Sequence, residues 1–224
     1  MATSTKSHTY IVEHLDTELE DWQSLEYTTI SAESTATSNK FLLSGLDASL
    51  LSPSTPSGAL NSKIPDSSKT TTSVEKLYPD PEARKRVCLL DPKGAKDLSP
   101  EDGDEFDAFL FGGILGDDPP RDRTADLRKL GFPGRRLGPE QMTTDTAVRT
   151  TRMVVQQGIL LGDIDYVDRP DIEIRDDEGK VVKGETIEMP FKYVRDEKTG
   201  KAIMPEGMLD LLGRDADKGI LDLL

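Results

Sequence analysis

Residues 108–152, AFLFGGILGDDPPRDRTADLRKLGFPGRRLGPEQMTTDTAVRTTR, constrain the fold of this chain more than any other stretch. Phe109-Leu110-Phe111 reads as a buried strand, being aromatic and branched and stopping at glycines. Two loops with unusual backbone demands follow, at 112–120 and 135–139. Between them Arg121-Asp122-Arg123-Thr124 starts a helix directly after a proline pair. Met142-Thr143-Thr144-Asp145 then reads as the entry to a second helix through 146–157. Thr143, Thr144 or Asp145 could cap it by accepting a backbone N–H. A strand, two glycine loops and two helix starts within one segment describe a ligand cradle.

The chemistry of that cradle narrows its ligand. Gly112, Gly113 and Gly116 permit left-handed backbone and close approach to a ligand. Their spacing is neither a dinucleotide fingerprint nor a P-loop, and Asp117 and Asp118 would repel a phosphate. A neutral or cationic ligand fits better, such as the adenosine and sulfonium of S-adenosylmethionine. Arg135 and Arg136 could reach a ligand carboxylate or pair with nearby acids. No metal is expected. The chain carries 42 Asp and Glu against 28 Lys and Arg, a formal charge of -14. That balance opposes a nucleic acid as main partner and favours a basic protein, or it serves solubility alone.

Other segments fill in an α/β frame. Residues 9–14 (TYIVEH) form a first strand, with Glu13 and His14 at the C-terminal edge where open α/β sheets gather ligands; both could equally be ordinary strand-end polar residues. Residues 19–30 form an amphipathic helix, its Trp22 a core residue or a substrate anchor. Residues 41–44 and 86–92 are further strands, the latter stopped by Asp91-Pro92. Hydrophobic residues make up only 35% of the chain, so part of it should lie outside the core. Residues 1–8 are the expected frayed terminus, and the Ser/Thr/Pro-rich 52–73 a flexible insertion in a single domain spanning 9–224. The acidic run 97–107 reads as a solvated face or a dock for a basic partner. Towards the C-terminus, strands at 164–167, 172–174 and 189–194 surround a hairpin turn at 176–184. A turn at 204–207 precedes a short helix over 208–212. Cys88 is the only cysteine, so no internal disulfide exists. Without a signal peptide or long apolar span, the cytoplasm is the expected compartment.

Several blocks together, FGGILGDDPPRDRT, RRLG, QMTTDTAVRTT, MPFKYV and MPEGML, with YIVEH and VCLLDP, resemble a eukaryotic and archaeal branch of the SPOUT methyltransferases. That branch was formerly labelled as uncharacterised RNA methyltransferases, and its characterised yeast-type member modifies arginine on a small-subunit ribosomal protein. The resemblance implies an α/β, trefoil-knotted parallel sheet flanked by helices, with a C-terminal extension. It further implies S-adenosyl-L-methionine as cofactor, S-adenosyl-L-homocysteine as product, and a monomer. The cofactor loops would be Phe111, Gly112, Gly113, Leu115 and Gly116, then Arg136, Leu137 and Gly138, then Met142, Thr143, Thr144 and Asp145.

A guanidinium is a poor nucleophile because it is charged, so a carboxylate should hold it and localise its charge away from the attacking nitrogen. Asp117, Asp118, Asp122 and Glu13 are the candidate catalytic acids, Asp117 first. Asp122 could instead pair with Arg121 or Arg123. An RNA methyltransferase is the alternative, since Arg121, Arg123, Arg128, Lys129, Arg135 and Arg136 cluster in sequence. A non-catalytic module that binds the cofactor is the further alternative.

Overall fold

A computed structural model of the chain describes residues 6–51, 63–113, 122, 124–175 and 181–221. Five strands pair in parallel: β1 (Thr9–Glu13), β2 (Lys40–Ser44), β3 (Val87–Leu90), β4 (Ala108–Gly112) and β5 (Gly134–Arg135), in the order β2-β1-β4-β3-β5. β3 and β4 are buried along their whole length and β1 along four of five residues. Such continuous apolar runs belong to a parallel sheet covered on both faces. Alternation along the strands splits them between two cores. Tyr10, Val12, Cys88, Leu90, Phe109 and Phe111 meet Tyr27 and Ile30 of α1 (Asp21–Ala36) and Val148, Val154 and Val155 of α2 (Thr144–Gln157). Ile11, Val87, Leu89 and Leu110 meet Val74, Leu127 and Phe132 on the opposite face. The expected α/β sheet flanked by helices is therefore present.

Several segments differ from the expectation. α1 begins at Asp21, not residue 19, because the Glu20 N–H is capped by the Gln23 side chain at 3.0 Å. Its buried face is not an apolar stripe, since Gln23, Glu26, Ser31 and Ser34 lie inward beside Tyr27 and Ile30. Residues 6–8, read as frayed, are held: Lys6 pairs with Asp107 at 3.0 Å, and buried His8 bonds the Gly103 carbonyl at 2.8 Å. Of the Ser/Thr/Pro-rich segment, residues 63–73 dock on the sheet edge, with the Thr70 N–H donating to the Leu43 carbonyl at 2.9 Å.

Beyond α2, β6 (Tyr166–Asp168) pairs with β9 (Lys192–Val194), and β7 (Asp171–Arg175) with β8 (Val181–Glu188), both antiparallel. Residues 181–184, expected in the hairpin turn, belong to β8, and 176–180 lie outside the described residues. α3 (Met208–Leu221) is longer than the expected short helix. It packs on β7 and α1, and that contact carries the helix past its first apolar turn.

The connection after β5 builds the site. The Asp91 N–H donates to the Arg135 carbonyl at 2.8 Å, the Arg136 N–H to Lys96 at 2.9 Å, and the Leu98 N–H to Arg136 at 2.9 Å. The loop after β3 thus clasps β5 along its backbone. Gly94 permits the close approach: a Cβ there would lie 2.7 Å from the Arg135 carbonyl carbon and 3.0 Å from the Arg136 nitrogen. Gly94→Ala should therefore cost about 1–3 kcal/mol of stability. Urea unfolding should show a lower midpoint with an unchanged slope; an unchanged midpoint would mean the clasp is not close-packed.

Candidate functional site: a cleft at the C-terminal edge of the sheet

The strand ends of β3 and β4 open into a cleft of about 200 Å³. Leu90 and Asp91 come from β3 and its exit, Phe111 and Gly112 from β4, and Thr144 and Ala147 from the first turn of α2. Thr124 and the run 137–142 close the remaining sides. This edge is where parallel α/β sheets leave ligand sites, since both faces are already covered. Leu90, Phe111, Leu137, Met142 and Ala147 give apolar walls, and Asp91, Thr124, Glu140, Gln141 and Thr144 supply the polar groups. An apolar slot with few polar groups suits a flat heteroaromatic ligand. Gly138 turns the loop with φ +98°, a conformation that a side chain would strain.

Asp91 is the buried acid of the cleft. Burial alone would raise its pKa, but the Arg128 guanidinium, the Lys93 N–H at 3.0 Å and the Thr124 hydroxyl at 2.9 Å hold it below the usual range. Arg128 also binds Asp122 at 2.9 Å, and Lys93 reaches Asp122 at 2.6 Å. Those two cations hold Asp122 well below the usual carboxylate range.

Six expected cofactor residues line the cleft: Phe111, Gly112, Leu137, Gly138, Met142 and Thr144. Four described ones do not. Gly113 backs onto Tyr27, its N–H donating to the Glu13 carbonyl at 3.1 Å. Arg136 turns outward and pairs with Asp97. Thr143 holds the N-cap position of α2, but its hydroxyl donates to Asp145 at 2.7 Å. Asp145 is buried behind the wall, 3.3 Å from Arg149, and so lies inside the helix interface instead of on the ligand. Leu115, Gly116, Asp117 and Asp118 lie outside the described residues.

Glu13 stands buried at the end of β1 and does not line the cleft. It accepts from the Ser44 hydroxyl and from the Val74 N–H at 3.0 Å, while burial raises its pKa. His14 beside it is buried too. Its Nε2 donates to the Glu18 carbonyl at 3.0 Å, which leaves Nδ1 to accept from the Tyr27 hydroxyl at 3.1 Å.

Leu90, Asp91, Pro92, Thr124, Glu140 and Ala147 line the cleft without a sequence signal that marks them as ligand contacts, whereas Pro139 and Gln141 belong to the expected loops. Asp91-Pro92, an acid at the end of a buried strand, by itself marks only a strand stop. Ala147 is tied to the cleft only through its i, i+3 relation to Thr144 on one helix face. The acidic run 97–107 is largely taken up internally: Asp97 binds Arg136, Asp102 and Glu105 bind Arg135, and Asp107 binds Arg86.

Comparison with known proteins agrees with this architecture. Residues 9–219 match the family model described as protein arginine N-methyltransferase SFM1-like. The protein arginine N-methyltransferase SFM1 of Saccharomyces cerevisiae is 43% identical over 221 residues, covering 96% of this chain and 99% of the yeast protein. A crystal structure of yeast SFM1 complexed with SAM aligns at TM-score 0.78 and 40% identity, covering 96% of this chain and 94% of that one. One complexed with SAH aligns at 0.76 and 41% identity, covering 91% and 94%. The five-stranded sheet is accordingly of the SPOUT type. The chain belongs to the SFM1-like protein arginine N-methyltransferase family.

Proposed function

We propose that this protein is an S-adenosylmethionine-dependent protein arginine N-methyltransferase acting on a small-subunit ribosomal protein, as a monomer in the cytoplasm. The observation that carries the reading is the cleft at the C-terminal edge, apolar and glycine-turned, in a chain of this family. The cleft fits the cofactor chemically. Leu90, Phe111, Leu137, Met142 and Ala147 would hold the adenosine, and Thr124, Gln141 and Thr144 would offer it hydrogen bonds. When bound, S-adenosylmethionine supplies an electrophilic methyl on a sulfonium: an S–C bond breaks as an N–C bond forms, and S-adenosylhomocysteine remains.

The protein's own work is then to hold the guanidinium and take the proton that its nitrogen gives up. Positioning supplies much of the acceleration in such a displacement. Of the four candidate acids, Glu13 is engaged by Ser44 and Val74, and Asp122 by Arg128 and Lys93. That favours Asp117, with Asp118 beside it, as the acid that takes the proton the attacking nitrogen gives up. The ribosomal substrate rests on the family resemblance and on the charge of -14, which attracts a basic protein. Among the described residues no helix is long and apolar enough to cross a membrane.

Three outcomes test this reading. Labelled methyl from S-adenosylmethionine should enter one small basic ribosomal protein in a cell extract, survive ribonuclease, and be recovered as methylarginine; label lost to ribonuclease would indicate an RNA substrate instead. Asp117→Asn should lower turnover at least ~100-fold while S-adenosylhomocysteine affinity stays nearly constant. Gly138→Ala, strained by its positive φ, should weaken S-adenosylhomocysteine about tenfold by calorimetry in a folded protein. Unchanged affinity would remove the 137–142 loop from the cofactor site.

A further inference from the structure

Glu26 sits on α1 directly behind the wall of the cleft and is 1% exposed. One carboxylate oxygen accepts from the indole N–H of Trp22 at 2.9 Å, one helical turn earlier. The other, Oε2, makes no hydrogen bond of standard geometry. The Thr144 N–H and hydroxyl, in the first turn of α2, lie close enough to favour its charged form, and Thr144 itself lines the cleft. Tyr193 on β9 is equally buried, its hydroxyl is also without a hydrogen bond, and it feels the charge of Glu26. Phe191 packs edge-on against Trp22, with ring centroids 6.3 Å apart. Among the described residues no basic side chain pairs with Glu26. Arg149 and Arg152, the buried cations of this interface, are bound to Glu33 and Asp145.

Glu26 keeps one hydrogen bond of standard geometry, and an under-satisfied buried acid next to the unpartnered Tyr193 hydroxyl, beside a ligand cleft, suits a guest that donates N–H bonds. We propose that Glu26, with Trp22, Phe191 and Tyr193, forms the pocket for the guanidinium of the target arginine. A guanidinium matches every feature of this pocket. Its paired N–H groups suit a carboxylate, its cationic face suits aromatic rings, and its remaining N–H groups suit the Tyr193 hydroxyl. Thr144 is shared with the cleft, so the bound nitrogen would stand beside the cofactor. Entry requires the half-buried Trp22 to swing off Glu26, exchanging an indole N–H for a guanidinium N–H. This assignment rests on the arginine methyltransferase reading above.

The electrostatics add a signature. Burial, then the neighbouring Asp145, push the Glu26 pKa up to about 8, against the opposing hydrogen bonds from Trp22 and Thr144. Asp145 and Arg149 face this region from α2, Glu33 lies further along α1, and Tyr193 faces it from β9. The Glu26–Asp145 pair therefore favours keeping a proton in the free pocket, and a guanidinium, which needs the ionised form, must expel it. Affinity should rise with pH up to about 8, by at most tenfold per unit.

Trp22 is the only tryptophan, so its emission reports the pocket directly. N-acetyl-arginine methylamide, titrated into the protein saturated with S-adenosylhomocysteine, should change that emission saturably and bind more tightly at pH 8 than at pH 6.5. Glu26→Gln keeps the shape of the neutral acid. It should weaken that binding at least tenfold, abolish its pH dependence, and raise KM for the protein acceptor. Affinity for S-adenosylhomocysteine and for 5′-methylthioadenosine should stay as in the wild type. Two outcomes overturn the pocket: arginine affinity and acceptor KM unchanged in Glu26→Gln, or S-adenosylhomocysteine weakened while 5′-methylthioadenosine, which lacks the amino-acid end, is not. The second would assign Glu26 to the cofactor's ammonium. Saturable, Glu26-dependent arginine binding by a wild type that methylates no protein would support the pocket and overturn the activity alone.

Discussion

Phe109, Leu110 and Phe111 are covered from above and below, and every other choice in the molecule follows from that burial. A strand with both faces occupied offers chemistry only at its ends. β4 lies between β1 and β3, so its end at Gly112 is flanked by Glu13 on one side and Leu90-Asp91 on the other. Gly112 leaves that point free of side chains, and Gly113 lets the chain turn away against Tyr27. The backbone there can meet a ligand directly, and Tyr27 and Glu13 press against it from behind. The cleft is the space that a doubly covered sheet leaves when its central strand ends in glycine.

The second constraint is the way α1 is fastened to α2. Glu33 binds both Arg149 and Arg152, and Arg149 continues to Asp145. Buried ion pairs contribute little net stability, because desolvation offsets the attraction, but removing one partner strands the others and is costly. Such a network fixes register more than it adds strength. Here it holds the first turn of α2, and with it Thr144 and Ala147, against the strand ends. The clasp of the 91–98 loop on β5 does the same for the run 137–142. Two walls of one cleft are thus set by separate devices, one of buried charge and one of close backbone contact.

Strand positions were legible in the sequence because period and composition decide them locally: TYIVE, VCLL and AFLFG could hardly do anything else. The cradle was legible too, since Gly138 and the α2 entry announce themselves by residue type. What stayed hidden depended on partners distant in sequence. Arg136 looked like a ligand contact until Asp97, 39 residues earlier, was seen to claim it. Asp145 looked like a cap because nothing local reveals a helix interface charged on both sides. Glu26 is a single polar residue within the helical pattern of 19–30, and nothing local marks it as buried. Its burial is set by α2 and β9, neither of which is near it in the chain.

The pairing of the basic residues also bears on which polymer this surface meets. The sequence gathers Arg121, Arg123, Arg128, Lys129, Arg135 and Arg136, a set that on a bare count could grip a phosphate backbone. In the fold Arg128 is bound by Asp91 and Asp122, Lys129 by Asp126, Arg135 by Asp102 and Glu105, and Arg136 by Asp97. A cation already held by a carboxylate contributes little field at the distances where a polyanion is first steered, and the excess of acids over bases dominates there. Binding RNA through these side chains would require breaking those pairs one by one, several of them partly buried. A basic protein faces no such cost: it approaches down the same field, and it needs from this enzyme only a carboxylate that no internal cation has claimed.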